Sequence, residues 1–448
     1  MINLSHYKIN IKYIKYLLFL GWISIWASLS FNPFKIYLFF ENINFKYISI
    51  SDLFSLIDMS RGLFQFFYLI ILIITTFILL KTKKIFFKPN IIFLLFLTIL
   101  LMETLSLFKT DNPNINIFFI ICSLNTILTV FLLKNFFSEA DVNFVFNLSV
   151  IFLLILLIFF GYQYILTAFE SGINIYGAWG NIEENLGIDT PKPTGLSRTA
   201  LIIFIIFSNM SFFIKPFEKF NYLIMTLSIV LLLLLSSRTT IFIYTLYILF
   251  YIFYFRNVNL KNILIVLKKF FLIPFVIVII ISLLQNIYQF KNNQGNKIFN
   301  FKLSDISRNY PDIETSPSSE FTSGRLDDWK NILELNENIA LGNGVLGDRY
   351  LINQSASNLL LYVYASSGII GMSIIILILM ITLFYTFKSI FIIKPKSSSY
   401  KFLSSIILIA LMLRSILETS LGVFGIDFIL FVICLSHIIP NENSYESN

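Results

Sequence analysis

The chain consists largely of apolar runs of about 20 residues, each bounded by a short polar stretch. Such a run matches the hydrocarbon thickness of a bilayer when it is helical, since each helical residue advances about 1.5 Å. Only helices and closed barrels satisfy backbone amides and carbonyls in that layer, and continuous apolar runs favour helices. The runs predict twelve spans, at residues 14–31, 63–80, 91–108, 115–133, 143–166, 197–214, 221–235, 239–255, 269–288, 358–387, 402–416 and 423–439. We therefore expect an all-α fold, a polytopic integral membrane bundle.

The composition excludes an ordinary soluble domain. The mean hydropathy is +0.81, and 57% of the residues are hydrophobic while only 13% are charged. The two cysteines, Cys122 and Cys434, both fall in predicted spans, so neither a disulfide framework nor a cysteine metal site is expected. We expect one membrane domain, residues 1–448, with no cofactor, no metal and no nucleic-acid partner.

Lysine sets the predicted orientation, because positive residues accumulate in the short cytoplasmic loops of membrane proteins. One alternate set of loops holds these lysines: Lys8, Lys12, Lys15, Lys81, Lys83, Lys84, Lys88, Lys134, Lys215, Lys219, Lys261, Lys268, Lys269, Lys388, Lys394, Lys396 and Lys401. This side is predicted to be cytoplasmic, and an even number of spans places both termini there. The large, partly helical loop of residues 289–357, between spans nine and ten, is then expected to be periplasmic.

Arginine shows the reverse distribution, because only Arg256 falls on the lysine-rich side. The other arginines lie in the outer loops or at their mouths: Arg61, Arg198, Arg238, Arg308, Arg325, Arg349 and Arg414. A planar guanidinium binds phosphate through two parallel hydrogen bonds, whereas lysine offers a point charge. An outward set of arginines at membrane depth therefore indicates an anionic lipid headgroup as ligand.

Local ion pairs are the alternative explanation for these arginines. Arg325 could pair with Asp328 on the same helical turn, and Arg414 could pair with Glu418. The headgroup interpretation is stronger for arginines at span ends than for Arg308 in open loop, since an unpaired charge is costly at membrane depth.

The second half of the long loop is predicted to contain a helix. Ser323 is a capping residue, and the segment that runs from it to Asn336 carries Leu326, Trp329 and Leu333 at helical spacing. This apolar stripe is expected to pack on the top of the bundle. Trp329 could stack on a sugar, although anchoring at the membrane interface is the commoner use of such a tryptophan.

A glycine-rich segment, "ALGNGVLG", follows this helix and contains Gly342 and Gly344. Such a turn can bring backbone amides close to an anion or a sugar, and a plain loop is the alternative. The two histidines, His6 and His437, are predicted near the cytoplasmic face. Proton transfer on the outer side must therefore use a carboxylate.

Several segments together resemble the O-antigen polymerase and ligase superfamily of bacterial envelope polysaccharide assembly, the Wzy and WaaL proteins. They are "PTGLSRTALIIF", "LLLSSRTTIFIYTL", "SGRLDDWKNIL", "ALGNGVLG", "SNLLLYVYASSGIIG" and "LRSILETSLGVFGID". Each motif is loose, and their order around a large outer loop is more specific. They occupy the chain from residue 193 onward, while the first spans are similar only in character.

The resemblance implies a glycosyltransferase of the bacterial inner membrane that acts on its outer face and needs no metal. It would transfer a glycan from undecaprenyl pyrophosphate to an acceptor. Ligases resemble one another in a His-Asn pair before the tenth span, where this chain has Ser357 and Asn358. The difference favours a polymerase, whose acceptor is a second lipid-linked repeat unit. A ligase and a lipid-linked oligosaccharide flippase remain the alternatives.

The implied partners are the lipid-linked donor and acceptor, membrane lipid, and a chain-length regulator protein. Catalytic roles are predicted for Arg238, Arg325, Asp327, Asp328 and Glu418. Contacts with the pyrophosphate or the glycan are predicted for Arg198, Arg414, Trp329, Asn358, Gly342 and Gly344.

Overall fold

A computed structural model of the protein describes residues 11–29, 50–83, 90–107, 113–171, 191–213, 218–235, 237–255, 264, 266–291, 325–392, 399–419 and 421–440. The regular structure of these residues is helical throughout, and they contain no strand. The predicted all-α class is therefore confirmed for the described part of the chain.

Fourteen helices are described, together with a short π-helical segment. They are α1 Ile11–Ala27, α2 Ile50–Lys83, α3 Ile91–Ser106, α4 Pro113–Phe136, α5 Glu139–Ser171, α6 Pro193–Phe213, α7 Glu218–Leu234, α8 Arg238–Phe255, α9 Ile273–Lys291, α10 Arg325–Leu335, α11 Gly347–Ile352, α12 Leu359–Ile392, α13 Ser399–Ser415 and α14 Ile426–Ile438. The π-helical segment, Lys268–Leu272, leads directly into α9. Each of the twelve predicted spans overlaps one of these helices, and α10 and α11 are the described helices that lie within the predicted outer loop.

Among the residues that the structure describes, four stretches are long and apolar enough to cross a membrane: Leu63–Lys81, Asn116–Phe136, Glu139–Glu170 and Leu359–Phe391. Four further helices are apolar but shorter: Ile91–Ser106, Lys219–Leu234, Arg238–Phe253 and Ile426–Ile438. These lengths fit a helical membrane protein. The full number of twelve spans stays a prediction.

The most buried helices lie at the centre of the bundle. Residues 200–207 of α6 are at most 7% exposed, so two turns of this helix are covered on every side. Nearly all of α14 is buried as well. At the periphery, α2 and α9 carry strongly exposed apolar side chains such as Phe77 and Phe275. Apolar side chains on the outside and a covered helix at the centre are the arrangement expected in lipid.

The helix α12 is broken near its beginning, although the sequence suggested one continuous span. Gly368 has φ 65° and ψ −166°, a conformation outside the helical region. The glycine-rich segment of the outer loop lies against this break and completes its hydrogen bonds. The amide of Asn343 donates to the Ala365 carbonyl at 2.8 Å, that of Gly344 to Ser366 at 2.9 Å, and that of Ile369 to Ile339 at 2.8 Å. The break in α12 is therefore tolerated, because the loop supplies hydrogen-bond partners for the backbone groups that the helix leaves unpaired.

The helix predicted between Ser323 and Asn336 is present as α10. The prediction that its apolar stripe packs on the top of the bundle is wrong for both leucines. Leu326 and Leu333 are 47% and 57% exposed. The buried face instead carries Asp328 and Ile332. This face contacts the polar segment of residues 353–357. Hydrogen bonds to that segment, rather than apolar packing, therefore determine which face of α10 is buried.

Candidate functional site

Two arginines that are far apart in the sequence meet at a single carboxylate. Arg414 donates through Nη1 to Oδ2 of Asp427 at 2.8 Å, and Arg198 donates through Nη1 to the same oxygen at 3.1 Å. We call these three residues the arginine cluster. It joins the first turns of α6, the last turn of α13 and the first turn of α14. We call this end of the bundle the arginine end and the opposite one the lysine end.

The helix ends that meet in the cluster explain part of its stability. Arg414 precedes the last residue of α13, where the partial negative charge of the helix C-terminus favours a cation. Asp427 is the second residue of α14, where the helix N-terminus favours an anion. Arg198 lies near the N-terminus of α6, the unfavourable end for a cation. Its ion pair with Asp427 offsets that cost.

The cluster is buried and carries an excess of positive charge. Arg414 is 4% exposed and Asp427 is 1% exposed, while the side chain of Arg198 is 16% exposed. Two guanidinium groups face one carboxylate, so the three residues together have a charge of +1. Within the described residues, Nε of Arg198, Nε of Arg414 and Oδ1 of Asp427 have no hydrogen-bond partner. Unsatisfied buried donors are costly, and an anion that reaches them would remove this cost.

Sequence analysis identified Arg198 and Arg414 but did not include Asp427 among the site residues. The alternative partner proposed for Arg414 was Glu418, whereas the ion pair in the structure is with Asp427. The signal for Asp427 was present, since an acidic residue in the first turn of a span is rare and costly unless it is paired.

The predicted loop residues surround a compact turn that precedes α12. Asp328 is buried and accepts a hydrogen bond from Gln354 through Oδ1. The indole nitrogen of Trp329 donates to the Ala356 carbonyl at 2.8 Å. In the first turn of α10, Arg325 is partly exposed and Asp327 is exposed. Asp328 and Trp329 thus hold the loop in place, while Arg325 and Asp327 reach solvent.

A second buried carboxylate, Asp348 of α11, fixes the other side of this turn. Its Oδ1 accepts from the Arg349 amide at 2.9 Å, and its Oδ2 accepts from the Ala356 amide at 2.8 Å. Burial raises the pKa of the Asp348 carboxyl, and the hydrogen bonds from the two amides act in the opposite direction. The carboxyl therefore has a structural role in closing the turn.

We expect Asp348→Asn to lower the free energy of unfolding by about 1–3 kcal/mol, because an amide offers one acceptor oxygen for two buried N–H groups. Thermal unfolding of the purified protein in detergent measures the change. Glu337→Gln is the matched control, since Glu337 is an exposed loop carboxylate. Equal melting temperatures for the two variants would contradict the structural role of Asp348.

The turn before α12 is tied to the connection between α13 and α14. Asn358 donates through Nδ2 to the Ile416 carbonyl at 2.9 Å, and the hydroxyl groups of Ser355 and Thr419 lie 3.1 Å apart. This connection begins just after Arg414, ends just before Asp427, and contains the partly exposed Glu418. The turn before α12 is therefore linked through this connection to the arginine cluster.

The glycines predicted to present amides to an anion have other partners. The Gly342 amide donates to the Asn338 carbonyl at 2.8 Å, and the Gly344 amide donates to Ser366. A Cβ atom on Gly342 would lie 2.4 Å from the Ser366 carbonyl carbon. These glycines allow the loop backbone to approach the broken part of α12, and both amides already have carbonyl partners, Gly342 within the loop and Gly344 on α12.

Two further predicted arginines, Arg238 and Arg349, are exposed. Arg238 is exposed at the first residue of α8, a helix that packs against α6 and α13. Arg349 is exposed on α11. Arg308 lies outside the part of the chain that the structure describes.

No protein-family model matches the chain, and no curated protein matches it either.

Proposed function

We propose that the protein is a membrane-embedded glycosyltransferase of the O-antigen polymerase type. It would join undecaprenyl-pyrophosphate-linked repeat units into a surface polysaccharide on the outer face of the bacterial inner membrane. The observation that carries the proposal is the arginine cluster, in which two guanidinium groups share one carboxylate and retain unused donors. The motif order that resembles this superfamily supports it independently.

In the proposed topology all twelve apolar helices cross the membrane and both termini are cytoplasmic. The loop of residues 289–357 and the arginine end of the bundle then face the periplasm. This places the cluster at the depth of the outer leaflet's headgroups, where a polyprenyl pyrophosphate would present its diphosphate. The lysine distribution supports this orientation.

The reaction transfers a glycosyl group between two oxygens. The bond between the anomeric carbon of the donor sugar and the pyrophosphate oxygen breaks, and its electron pair leaves with the lipid pyrophosphate. An acceptor hydroxyl oxygen bonds to the anomeric carbon, and its proton passes to a carboxylate. The leaving group gains negative charge as the bond breaks, so preorganised guanidinium groups stabilise the transition state more than the ground state.

Asp427 is well placed to keep the two guanidinium groups in position when no substrate is bound. A shared carboxylate holds the two guanidinium groups together, and the buried Nε of each has no hydrogen-bond partner within the described residues. A single preorganised donor of this kind typically supports the rate by about 10²–10³-fold. Arg238 and Arg325, the exposed and partly exposed members of the set, would then reach the more distal phosphate or the sugar.

The proton acceptor is best sought among carboxylates that reach solvent. Asp327 is exposed on α10, and Glu418 is partly exposed beside the arginine cluster. Asp328 is less suitable, because it is buried and accepts a hydrogen bond from Gln354. We therefore assign the base to Asp327 or Glu418.

Deletion of the gene tests the reaction class. A polymerase deletion is expected to leave surface lipid that carries single repeat units, while all longer chains disappear from an electrophoretic ladder. The complementing gene restores the ladder, which serves as the control. A ladder of normal length in the deletion strain would refute the proposal.

The same strain separates the alternatives by where the glycan accumulates. Long lipid-linked chains that are not attached to an acceptor core would indicate a ligase. Lipid-linked single repeats that stay on the cytoplasmic leaflet would indicate a flippase. Each result differs from the single repeats on surface lipid that a polymerase deletion produces.

A further inference from the structure

A proline lies at the point where the π-helical segment Lys268–Leu272 continues into α9. The amide of Ile273 donates to the Lys268 carbonyl, five residues earlier, whereas an α-helical amide donates to the fourth residue before it. Pro274 follows directly. Proline has no amide hydrogen, and in a regular helix its ring clashes with the carbonyl four residues earlier. That carbonyl belongs to Phe270, so the wider π-helical turn makes room for the ring.

A tyrosine from another helix supplies the hydrogen bond that the proline cannot. Tyr244 of α8 donates through its hydroxyl group to the Phe270 carbonyl. Both residues are buried, so an unpaired carbonyl at this place would be costly. The side chain of Tyr244 therefore replaces the missing backbone donor at Pro274.

Aromatic rings fix this π-helical turn in the core of the bundle. The ring of Phe270 lies 5.3 Å from that of Phe204 on α6 and 5.6 Å from that of Tyr251 on α8. The ring of Phe271 lies 5.5 Å from that of Tyr244. Pro274 is itself buried. The chain immediately before α9 is therefore held on several sides.

Beyond Pro274, α9 has no comparable attachment. None of the described side chains at positions 275–284 is buried, and none belongs to the hydrophobic core or packs against it. The helix rests on α7 and, to a smaller extent, on α5. The contact with these helices is made by side chains that are at most partly buried.

A position at the periphery of the bundle does not explain this difference. The helix α2 is also peripheral, yet it buries side chains along its whole inner face. Those at most 5% exposed include Tyr68, Leu72, Thr75 and Leu79. Few buried contacts are the structural property of a segment that opens locally at low cost.

We propose that the part of α9 beyond Pro274, residues 275–291, is a movable arm whose hinge is the proline and the π-helical turn. The arm swings away from α7 and α5 in the plane of the membrane, while Tyr244 and Phe270 hold the turn before it. Prolines and π-helical turns are places where helices bend, and a few residues suffice to absorb the change. The motion opens a lateral gap between α9 and α7. It does not depend on the proposed transferase activity.

The arm is also one of the two stems of the long outer loop. The other stem, α12, is held to the loop by the hydrogen bonds of Asn343 and Gly344. The two stems therefore differ in freedom, and the α9 stem is the one that moves.

Double electron–electron resonance on the full-length protein in lipid nanodiscs tests the motion. Spin labels are placed at Leu284 of the arm and at Leu101 of α3, which are both exposed, whereas the two native cysteines are buried. We expect a broad or two-peaked distribution of distances for this pair. The pair of Leu101 and the exposed Ile158 of α5 is the control, because it shares one label and avoids the arm. A distribution for the arm pair as narrow as that of the control would overturn the proposal.

Pro274→Ala tests the position of the hinge. The substitution removes the ring and supplies an amide that can donate to the Phe270 carbonyl, so it is expected to narrow the distance distribution of the arm to that of the control pair. Pro193→Ala is the matched control, since Pro193 is the first residue of α6, where a proline removes no helical hydrogen bond. This variant is expected to keep the broad distribution. An unchanged distribution in Pro274→Ala would overturn the assignment of the hinge.

The role of Tyr244 is tested by its coupling to Pro274. Tyr244→Phe leaves the Phe270 carbonyl unpaired and is expected to lower the melting temperature in detergent, whereas Tyr162→Phe on the exposed face of α5 is expected to leave it unchanged. When Pro274→Ala is also present, the new amide takes over the carbonyl, so Tyr244→Phe is expected to cost clearly less.

Equal losses of melting temperature in the two backgrounds would overturn the role of Tyr244 as a substitute for the missing amide. If Tyr244→Phe alone does not fold, recovery of folded protein in the double variant confirms the coupling. A double variant that also fails to fold, although Pro274→Ala alone folds, would overturn it.

Discussion

Replacing Arg414 with alanine is expected to reduce polysaccharide polymerisation by about 10²–10³-fold, the usual cost of one preorganised charge-stabilising donor. The substitution leaves Asp427 with Arg198 alone, and the net charge of the cluster falls from +1 to zero. In the proposed reaction, both the binding of the diphosphate and the stabilisation of the leaving group would weaken. The length of the surface polysaccharide ladder in a strain that depends on the variant measures the effect.

Three further variants separate the effect of the charge from that of the geometry. Arg414→Lys keeps the charge but loses the planar fork, so it is expected to restore polymerisation only in part. Arg349→Ala removes an exposed arginine from α11 and is expected to leave the ladder unchanged. Arg198→Ala should behave like Arg414→Ala, because the two side chains share one carboxylate oxygen. Normal long chains in both alanine variants would remove the pyrophosphate assignment from the cluster.

Stability must be measured beside activity for these variants, because Arg414 is buried and its removal leaves Asp427 less well paired. Loss of one partner from a buried ion pair typically costs about 3–5 kcal/mol. The retained pair with Arg198 should keep the actual cost below that range. Protein levels in the membrane and the melting temperature in detergent distinguish a folded, inactive variant from an unfolded one.

Replacing Gly368 with alanine is expected to destabilise the protein by about 2–5 kcal/mol, through backbone strain and overpacking together. The glycine has φ 65° and ψ −166°, a combination that other residues essentially never adopt. A Cβ atom there would also lie 2.2 Å from the carbonyl oxygen of Ala340. The outer-loop segment could then no longer complete the hydrogen bonds of the broken helix. Size-exclusion profiles and thermal unfolding in detergent measure the loss.

Gly195→Ala is the matched control for this substitution. Gly195 lies in the first turn of α6, and a Cβ atom there would meet Nη2 of Arg198 at 3.7 Å, an ordinary contact distance. Alanine also suits a helix better than glycine does. We expect this variant to be at least as stable as the wild type. A Gly368→Ala protein that melts at the wild-type temperature would show that the break in α12 is not needed for the fold.

The predicted elements agree with the structure where a local signal was strong. Each of the twelve apolar runs contains a helix, because a long uninterrupted apolar run has few other ways to satisfy its backbone in lipid. The selection of Arg198 and Arg414 came from their unusual position at the outer ends of spans. The structure brings these two residues together, although their roles in catalysis remain proposals.

Predictions from the sequence were wrong where the burial of a helix face or an amide depends on segments that are distant in the chain. Leu326 and Leu333 follow helical spacing, yet they are exposed, because Asp328 on another face of α10 meets the turn before α12. Gly342 and Gly344 suggested an anion site, whereas the Gly344 amide donates to Ser366 of α12 and the Gly342 amide donates to Asn338 within the loop. The apolar signal around Gly368 contained no sign that the helix would be broken there.

Apolar periodicity and the placement of lysine and arginine along the chain are local properties, and they are sufficient to predict an all-helical membrane protein with an unusual set of outer arginines. Tertiary packing alone decided that Arg198 and Arg414 share Asp427, that an outer loop covers the break in α12, and that Tyr244 donates to the Phe270 carbonyl before α9. The physical reason is that burial and hydrogen bonding between distant segments depend on which helices become neighbours, and no single run of residues contains that information.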